Sequence, residues 1–305
     1  FKKKFKIINN DLILIGQIQR SGGSLLSQLF DSHSELLNYP SELVLTIPKE
    51  DWSKRLIFSS ILQNQRLRNN ILKQNYEKPG RARTYDNIKN FFLYNPYVEK
   101  KIFKSLKKND LRSNFDAYFT AFFNAFINYK NKKDVKKKFI TAFLPRFFML
   151  SKNIDLFFQI YPNGKLINII RDPRSFLKSA KKHSKKYDDT TISLELWKKS
   201  AENSLKFKEK YSENIIIIKF DDLILNTENT MRKICQRINI NYEEILLKPT
   251  FNGELIASDS SFKSTIGIID KSVLSRKNNK IIFSNNENEI LKSYESWFKN
   301  IRLFE

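Results

Sequence analysis

The sequence predicts an α/β fold: a parallel sheet layered with helices and interrupted by a large helical insertion. Three observations carry that prediction. A run of β-formers over residues 12–18 ends in a glycine-rich loop and gives way to an amphipathic run starting at Leu25. A second apolar run, Lys165–Ile170 (KLINII), leads directly into a helix start, and a third over residues 214–222 (NIIIIKFDD) precedes a helical pattern at 231–238. Between the first and second runs lies a long segment with helical spacing and no strand alternation.

The loop after the first strand is Gln19-Arg20-Ser21-Gly22-Gly23-Ser24. Its glycines allow a sharp turn that exposes consecutive N–H groups, and the following helix points its positive end at whatever they hold. Such a device binds an anion, most often a phosphate or sulfate. It departs from the nucleotide-triphosphate loop, which needs Gly, four residues, then Gly-Lys-Ser/Thr. Gln17 stands where the first glycine should be and Gly23 where the lysine should be, so the positive charge has moved to Arg20.

Residues 51–72 and 116–129 follow with apolar side chains at helical intervals, the second stretch (DAYFTAFFNAFINY) strongly aromatic. That stripe predicts helix core, and residues 139–145 predict a strand returning to the sheet. After Lys165–Ile170, Arg171-Asp172-Pro173-Arg174 opens a helix. Pro173 suits the first turn, where its missing N–H is no loss, and Asp172 just before it can cap. Ser179 and His183 share one face of this helix. No Gly/Ser linker or internal repeat divides the chain, so residues 1–305 form one expected domain with an insertion at about 46–138.

These segments together resemble the sulfotransferases that use 3′-phosphoadenylyl sulfate (PAPS), in motif style the bacterial and tyrosyl-protein branch. The family's first loop is roughly Lys/Arg-Ser-Gly-Thr/Gly-Ser/Thr-Leu, matched here by Arg20-Ser21-Gly22-Gly23-Ser24-Leu25. In the family this loop holds the 5′-phosphosulfate. A strand-ending Arg and a Ser eight residues later hold the 3′-phosphate, a spacing that Arg171 and Ser179 share. The resemblance implies a three-layer parallel sheet of the P-loop nucleotide-hydrolase type, with PAPS as donor and adenosine 3′,5′-bisphosphate as product. A guanidinium forking onto two phosphate oxygens, with a hydroxyl completing the shell, is sound chemistry for the second site. His183 stands at an offset where the tyrosyl-protein branch has an Arg. Residues 214–223 are similar to the family's third strand, which usually ends Tyr-Glu-Asp-Leu; Phe220 replaces the Tyr and removes a hydroxyl contact. Residues 248–253 with Ser260-Ser261-Phe262 resemble a late loop that folds over the nucleotide. Ser261 and Arg276 match a Ser and a basic residue that contact PAPS, with Lys271 competing for the basic role.

In such a reaction an acceptor oxygen attacks in line and the leaving 5′-phosphate oxygen gains charge. Arg20, with the N–H groups of Gly22 to Leu25, is assigned to that leaving group as a stabiliser that never titrates. Glu42 is the expected base, in the turn after the first helix and displaced by one residue from the Glu that serves in the tyrosyl-protein branch. His183 is the second candidate. His33 is assigned to the end of the first helix as a capping or dipole-complementing group. No metal is expected, because a sulfuryl group carries less charge than a phosphoryl group, and two histidines and one cysteine offer no ligand cluster.

The net charge of +23 is spread along the chain, without zinc-finger spacing or an aromatic–basic recognition motif. That argues against a specific nucleic-acid partner, although polyanions, PAPS and acidic glycans among them, would be attracted. No run of eighteen apolar residues occurs, so no membrane span is expected. The one cysteine, Cys235, reads as a buried helical residue and favours a reducing, cytoplasmic compartment, with a secretory lumen left open. The expected partner is a hydroxyl-bearing acceptor, a glycan or other small compound. Two rival classes are a P-loop kinase with Asp221 or Asp222 on magnesium, and a catalytically silent polyanion-binding protein of the same fold. The displaced cation and the Arg171–Ser179 pair argue against the first, and retention of Arg20 and Glu42 against the second.

Overall fold

Five strands form one wholly parallel sheet in the computed structural model, which describes residues 5–43, 95–131, 136–258, 265–274 and 281–301. They are β1 (Asp11–Ile15), β2 (Leu36–Glu42), β3 (Phe139–Phe143), β4 (Lys165–Ile170) and β5 (Ile215–Lys219), in the order β2-β3-β1-β4-β5. The central strand β1 pairs with β3 from Asp11 opposite Phe139 to Ile15 opposite Phe143, and with β4 from Ile13 onward. Successive side chains of a strand face opposite sides, so each strand feeds two layers. Ile13, Ile15, Ile167, Ile169, Ile216 and Ile218 pack under α1 (Gly23–Phe30), α7 (Phe220–Leu225) and α8 (Thr227–Ile238). On the other face, Leu12, Leu14, Ile140, Leu166, Ile215 and Ile217 pack against α2 (Pro96–Leu106), α3 (Leu111–Ala125), α4 (Ser151–Ile160), α5 (Pro173–His183) and α6 (Thr190–Lys210). Burial on both faces is why these strands are unbroken apolar runs.

The strand β2 is absent from the sequence-based expectation. Leu-Leu-Asn-Tyr-Pro-Ser-Glu lacks β-branched residues and contains Pro40, which a sheet tolerates only at an edge or a bulge. Here both conditions hold: β2 is the edge strand, and its register with β3 slips between Asn38 and Glu42. Buried Asn38 pins it, its Oδ1 accepting from Thr141 Oγ1 at 2.7 Å and Ser27 Oγ at 3.3 Å. Glu42 therefore ends a strand, opposite Phe143, where the sequence suggested a turn. The first strand also stops earlier than expected, at Ile15, and the third gives way to helix at Phe220.

The aromatic stripe is core, as its spacing predicts. Phe115, Phe119, Phe122 and Phe123 are fully buried on α3, which ends at Ala125. Tyr118 donates to the Tyr39 hydroxyl at 3.0 Å, and the Tyr39 and Phe122 ring centroids lie 4.7 Å apart, tying α3 to β2. The helical expectation over 51–72 falls outside the described residues. No helix among the described residues is long and apolar enough to cross a membrane.

A final helix, α9 (Asn285–Asn300), clamps α5, which carries two of the expected site residues. Arg174 Nε donates to Glu295 Oε1 at 2.6 Å, and Lys181 Nζ and Thr190 Oγ1 both donate to Glu287 Oε1 at 2.6 Å. Glu287 also closes the capping box of α9 with Ser284. These bonds hold its carboxyl down at about 2, below the ordinary 4.5. A depressed carboxylate stabilises the fold above its unfolded value, and that stability is lost as pH falls through the native value. Denaturant titrations of wild type and Glu287→Gln should therefore differ at neutral pH and converge as pH falls from about 4.5 toward about 2.

Candidate active site

In a parallel sheet, ligands collect where the strands end. Beyond β1 the chain makes a turn in which Arg20 (φ 70°) and Gly22 (φ 101°) are both left-handed. At Gly22 the conformation and the space agree: a Cβ there would fall 2.6 Å from the Phe220 ring. Gly22 is the N-cap of α1 and no side chain caps that helix, which leaves its first-turn N–H groups facing the loop. Ser21 is wholly buried and its Oγ has no hydrogen-bond partner.

From β4, Arg171 reaches across to this loop. It is 8% exposed, stacks 4.5 Å above the Phe220 ring, and donates from Nη1 to the Arg20 carbonyl oxygen at 3.0 Å. Trp197 Nε1 holds the Arg171 carbonyl at 3.0 Å. Asp172 caps α5 by accepting from the Ser175 N–H at 2.8 Å, with Pro173 in the first turn as the sequence suggests. One turn on, Ser179 Oγ accepts from Arg20 Nε at 3.1 Å. The sequence assigns Arg20 to one phosphate and Arg171 with Ser179 to another; the structure joins all three in a single cluster. His183, the last residue of α5, is exposed and lines the mouth.

A cleft of about 230 Å³ opens over this cluster, with Phe143 and Phe220 as apolar walls and Glu42 at one side. Gly22, Gly23, Ser24, Leu25 and Arg171 line it too. Burial pushes the Glu42 carboxyl above its ordinary value, against the opposing fields of Arg146 and Lys186. Neither cation is singled out by the sequence. Arg146 follows β3 in a left-handed conformation (φ 70°), its N–H donating to the Gln17 carbonyl at 2.7 Å. Its position just past an expected strand was the available signal. Lys186 Nζ and the Tyr187 hydroxyl both donate to Gln19 Oε1, at 2.9 and 2.6 Å; no sequence signal marks them.

Other expectations fare differently. Ser261 and Arg276 lie outside the described residues, and Lys271 is exposed in a short turn. Residues 248–253 do not lie over the cleft. They enter the hairpin of β6 (Thr250–Phe251) and β7 (Glu254–Leu255), docked at the far end of α1, where the buried Asp31 carboxylate accepts from the Gly253 N–H at 3.0 Å. Only further on do Ser258 and Asp270 reach the cleft wall. His33 does not cap the first helix, which ends at Phe30. It is fully buried, accepting at Nδ1 from the Glu35 N–H (3.2 Å), so Nε2 carries the proton and donates to the Asn241 carbonyl at 2.8 Å. Cys235 is buried in α8, its thiol pushed up to about 12 by burial. Among the described residues, no group of three or more His, Cys, Asp or Glu could hold a metal ion.

The fold is thus a parallel α/β sheet with an uncapped helix N-terminus and two arginines beside its first loop. The chain matches the sulfotransferase family over residues 12–244 and belongs to that family. Two solved structures share its fold. A sulfotransferase domain from the curacin biosynthetic pathway is 18% identical at a TM-score of 0.50, covering 95% of this chain and 99% of that one. A sulfotransferase domain from the Synechococcus PCC 7002 olefin synthase is 15% identical at 0.50, covering 99% and 98%. Comparison with curated proteins finds no significant match.

Because Gly22 faces both a forbidden φ and the Phe220 ring, Gly22→Ala should cost about 1–3 kcal/mol in chemical denaturation. A cost below the scatter between replicate titrations would show that the turn relaxes freely.

Proposed function

We propose that this protein transfers the sulfuryl group of PAPS to an acceptor hydroxyl, with a glycan or other small hydroxyl compound as the favoured acceptor. The observation that supports this best is the convergence of Arg20, Arg171 and Ser179 beside the uncapped start of α1. Two phosphate groups need two sources of positive potential, and the cluster supplies them with backbone N–H groups alongside. In this reading Arg171 and Ser179 hold the 3′-phosphate, with His183 as a further contact at the mouth. Ser21 and the N–H groups of Gly22, Gly23, Ser24 and Leu25 hold the 5′-phosphosulfate. Arg20 spans the two. Ser261 and Arg276 are proposed as further contacts to PAPS.

Glu42 accepts the acceptor's hydroxyl proton while that oxygen forms its bond to sulfur. The bond between sulfur and the 5′-phosphate oxygen breaks, and its electron pair leaves with adenosine 3′,5′-bisphosphate. Burial raises the Glu42 carboxyl and makes it a better base, while the fields of Arg146 and Lys186 act in the opposite direction. Arg20 stays charged throughout and steadies the leaving oxygen. The scheme calls on no metal ion.

Calorimetric titration with adenosine 3′,5′-bisphosphate, AMP and ATP, first without magnesium, tests the donor. Binding that requires the 3′-phosphate is the expected result; a preference for ATP once magnesium is added would replace this reading with a kinase. Arg171→Ala should weaken adenosine 3′,5′-bisphosphate by about 2–3 kcal/mol, the worth of a charge-assisted pair. Glu42→Gln should leave that affinity unchanged and slow turnover of PAPS by about 10²–10⁴-fold. Full turnover in Glu42→Gln would transfer the base role to another group.

A further inference from the structure

The two glycines of the loop differ. Gly22 needs its left-handed backbone, but Gly23 is the first residue of α1 and has ordinary helical geometry. The space beside Gly23 is filled by Gln17. A Cβ there would fall 1.9 Å from Gln17 Nε2 and 2.2 Å from Cδ, so the carboxamide lies flat against the helix start. Gln17 is 3% exposed, lines the cleft, and its Oε1 is buried without a hydrogen-bond partner. Its backbone is fixed by the bond from the Arg146 N–H to its carbonyl, 2.7 Å. A buried amide oxygen left without a partner is costly.

The ligand's chemistry follows from the neighbours. Gln17 follows β1, Glu42 ends β2 and Phe143 ends β3, and the amide, the carboxylate and the ring all line the one cleft. We infer that Gln17 turns its carboxamide N–H groups onto the sulfuryl oxygens of the donor, as a contact made to the group in transfer and to no other part of the nucleotide. This rests on the PAPS reading above. Sulfuryl oxygens only accept hydrogen bonds, and a half-turn about the last side-chain bond exchanges the amide's two ends without changing its shape. A neutral donor also suits the cleft, since an amide dipole stabilises the oxygens without adding a charge to it.

The test compares PAPS with adenosine 3′,5′-bisphosphate, which lacks the sulfuryl group, by calorimetry on wild type, Gln17→Met and Gln17→Glu. Gln17→Met keeps the volume and should bind the bisphosphate within about twofold of wild type but PAPS about tenfold more weakly. Gln17→Glu keeps the shape and sets a carboxylate against the sulfuryl oxygens, so its loss of PAPS should be larger still; it carries the test if Gln17→Met does not fold. Equal losses for both ligands, or none for either, would reduce Gln17 to packing against Gly23 and overturn the inference. Wild type binding neither ligand would instead remove the PAPS reading, and the inference with it.

Discussion

The bond from the Arg171 guanidinium to the Arg20 carbonyl ties the loop after β1 to the end of the neighbouring strand β4, and the cleft takes its shape from that tie. Arg20 sits in a left-handed conformation that costs an ordinary residue about 1–2 kcal/mol, so its surroundings must over-determine it. They do so through a chain of contacts reaching deep into one layer. Trp197 of α6 holds the Arg171 carbonyl, Phe220 supports the guanidinium from below, and Ser179 of α5 receives the Arg20 side chain. The same Phe220 ring occupies the space a Cβ would need at Gly22, so one aromatic side chain supports both the cation and the turn.

Charge is distributed unevenly around this tie. Arginines stand on the loops after β1, β3 and β4, and Lys186 stands just past α5, whereas Glu42 is the carboxylate at the cleft's inner side. Burial raises the Glu42 carboxyl above its ordinary value. The fields of Arg146 and Lys186 oppose that tendency without an ion pair to consume the carboxylate, since none joins them among the described residues. The clamp of α9 on α5 belongs to the same design, because it fixes the helix on which Ser179 and His183 stand.

Much of this was legible along the chain. The loop Arg20 to Leu25 and the Arg171–Ser179 spacing are local features, each contained in one strand–helix transition, and local features survive without knowledge of the fold. The aromatic stripe of α3 was legible for the same reason, since its period is set by the helix itself. What stayed hidden depended on neighbours in space. The edge strand β2 contains Pro40 and no β-branched residue, so pairing with β3 rather than propensity makes it a strand. His33 looked like a helix-end residue because nothing nearby in sequence hints that Asn241 supplies its partner.

The sequence by itself determined the class of fold, the glycine-bearing turn after the first strand and the Arg171–Ser179 spacing, because backbone conformation and short-range spacing dictate them. Tertiary structure alone decided that Arg20, Arg171 and Ser179 form one cluster and that Gln17 packs against Gly23. It also brought Glu42 into the fields of Arg146 and Lys186. Those outcomes arise where strands distant in sequence end side by side, and the energies that settle them are burial and the fields of neighbours, which no linear pattern encodes.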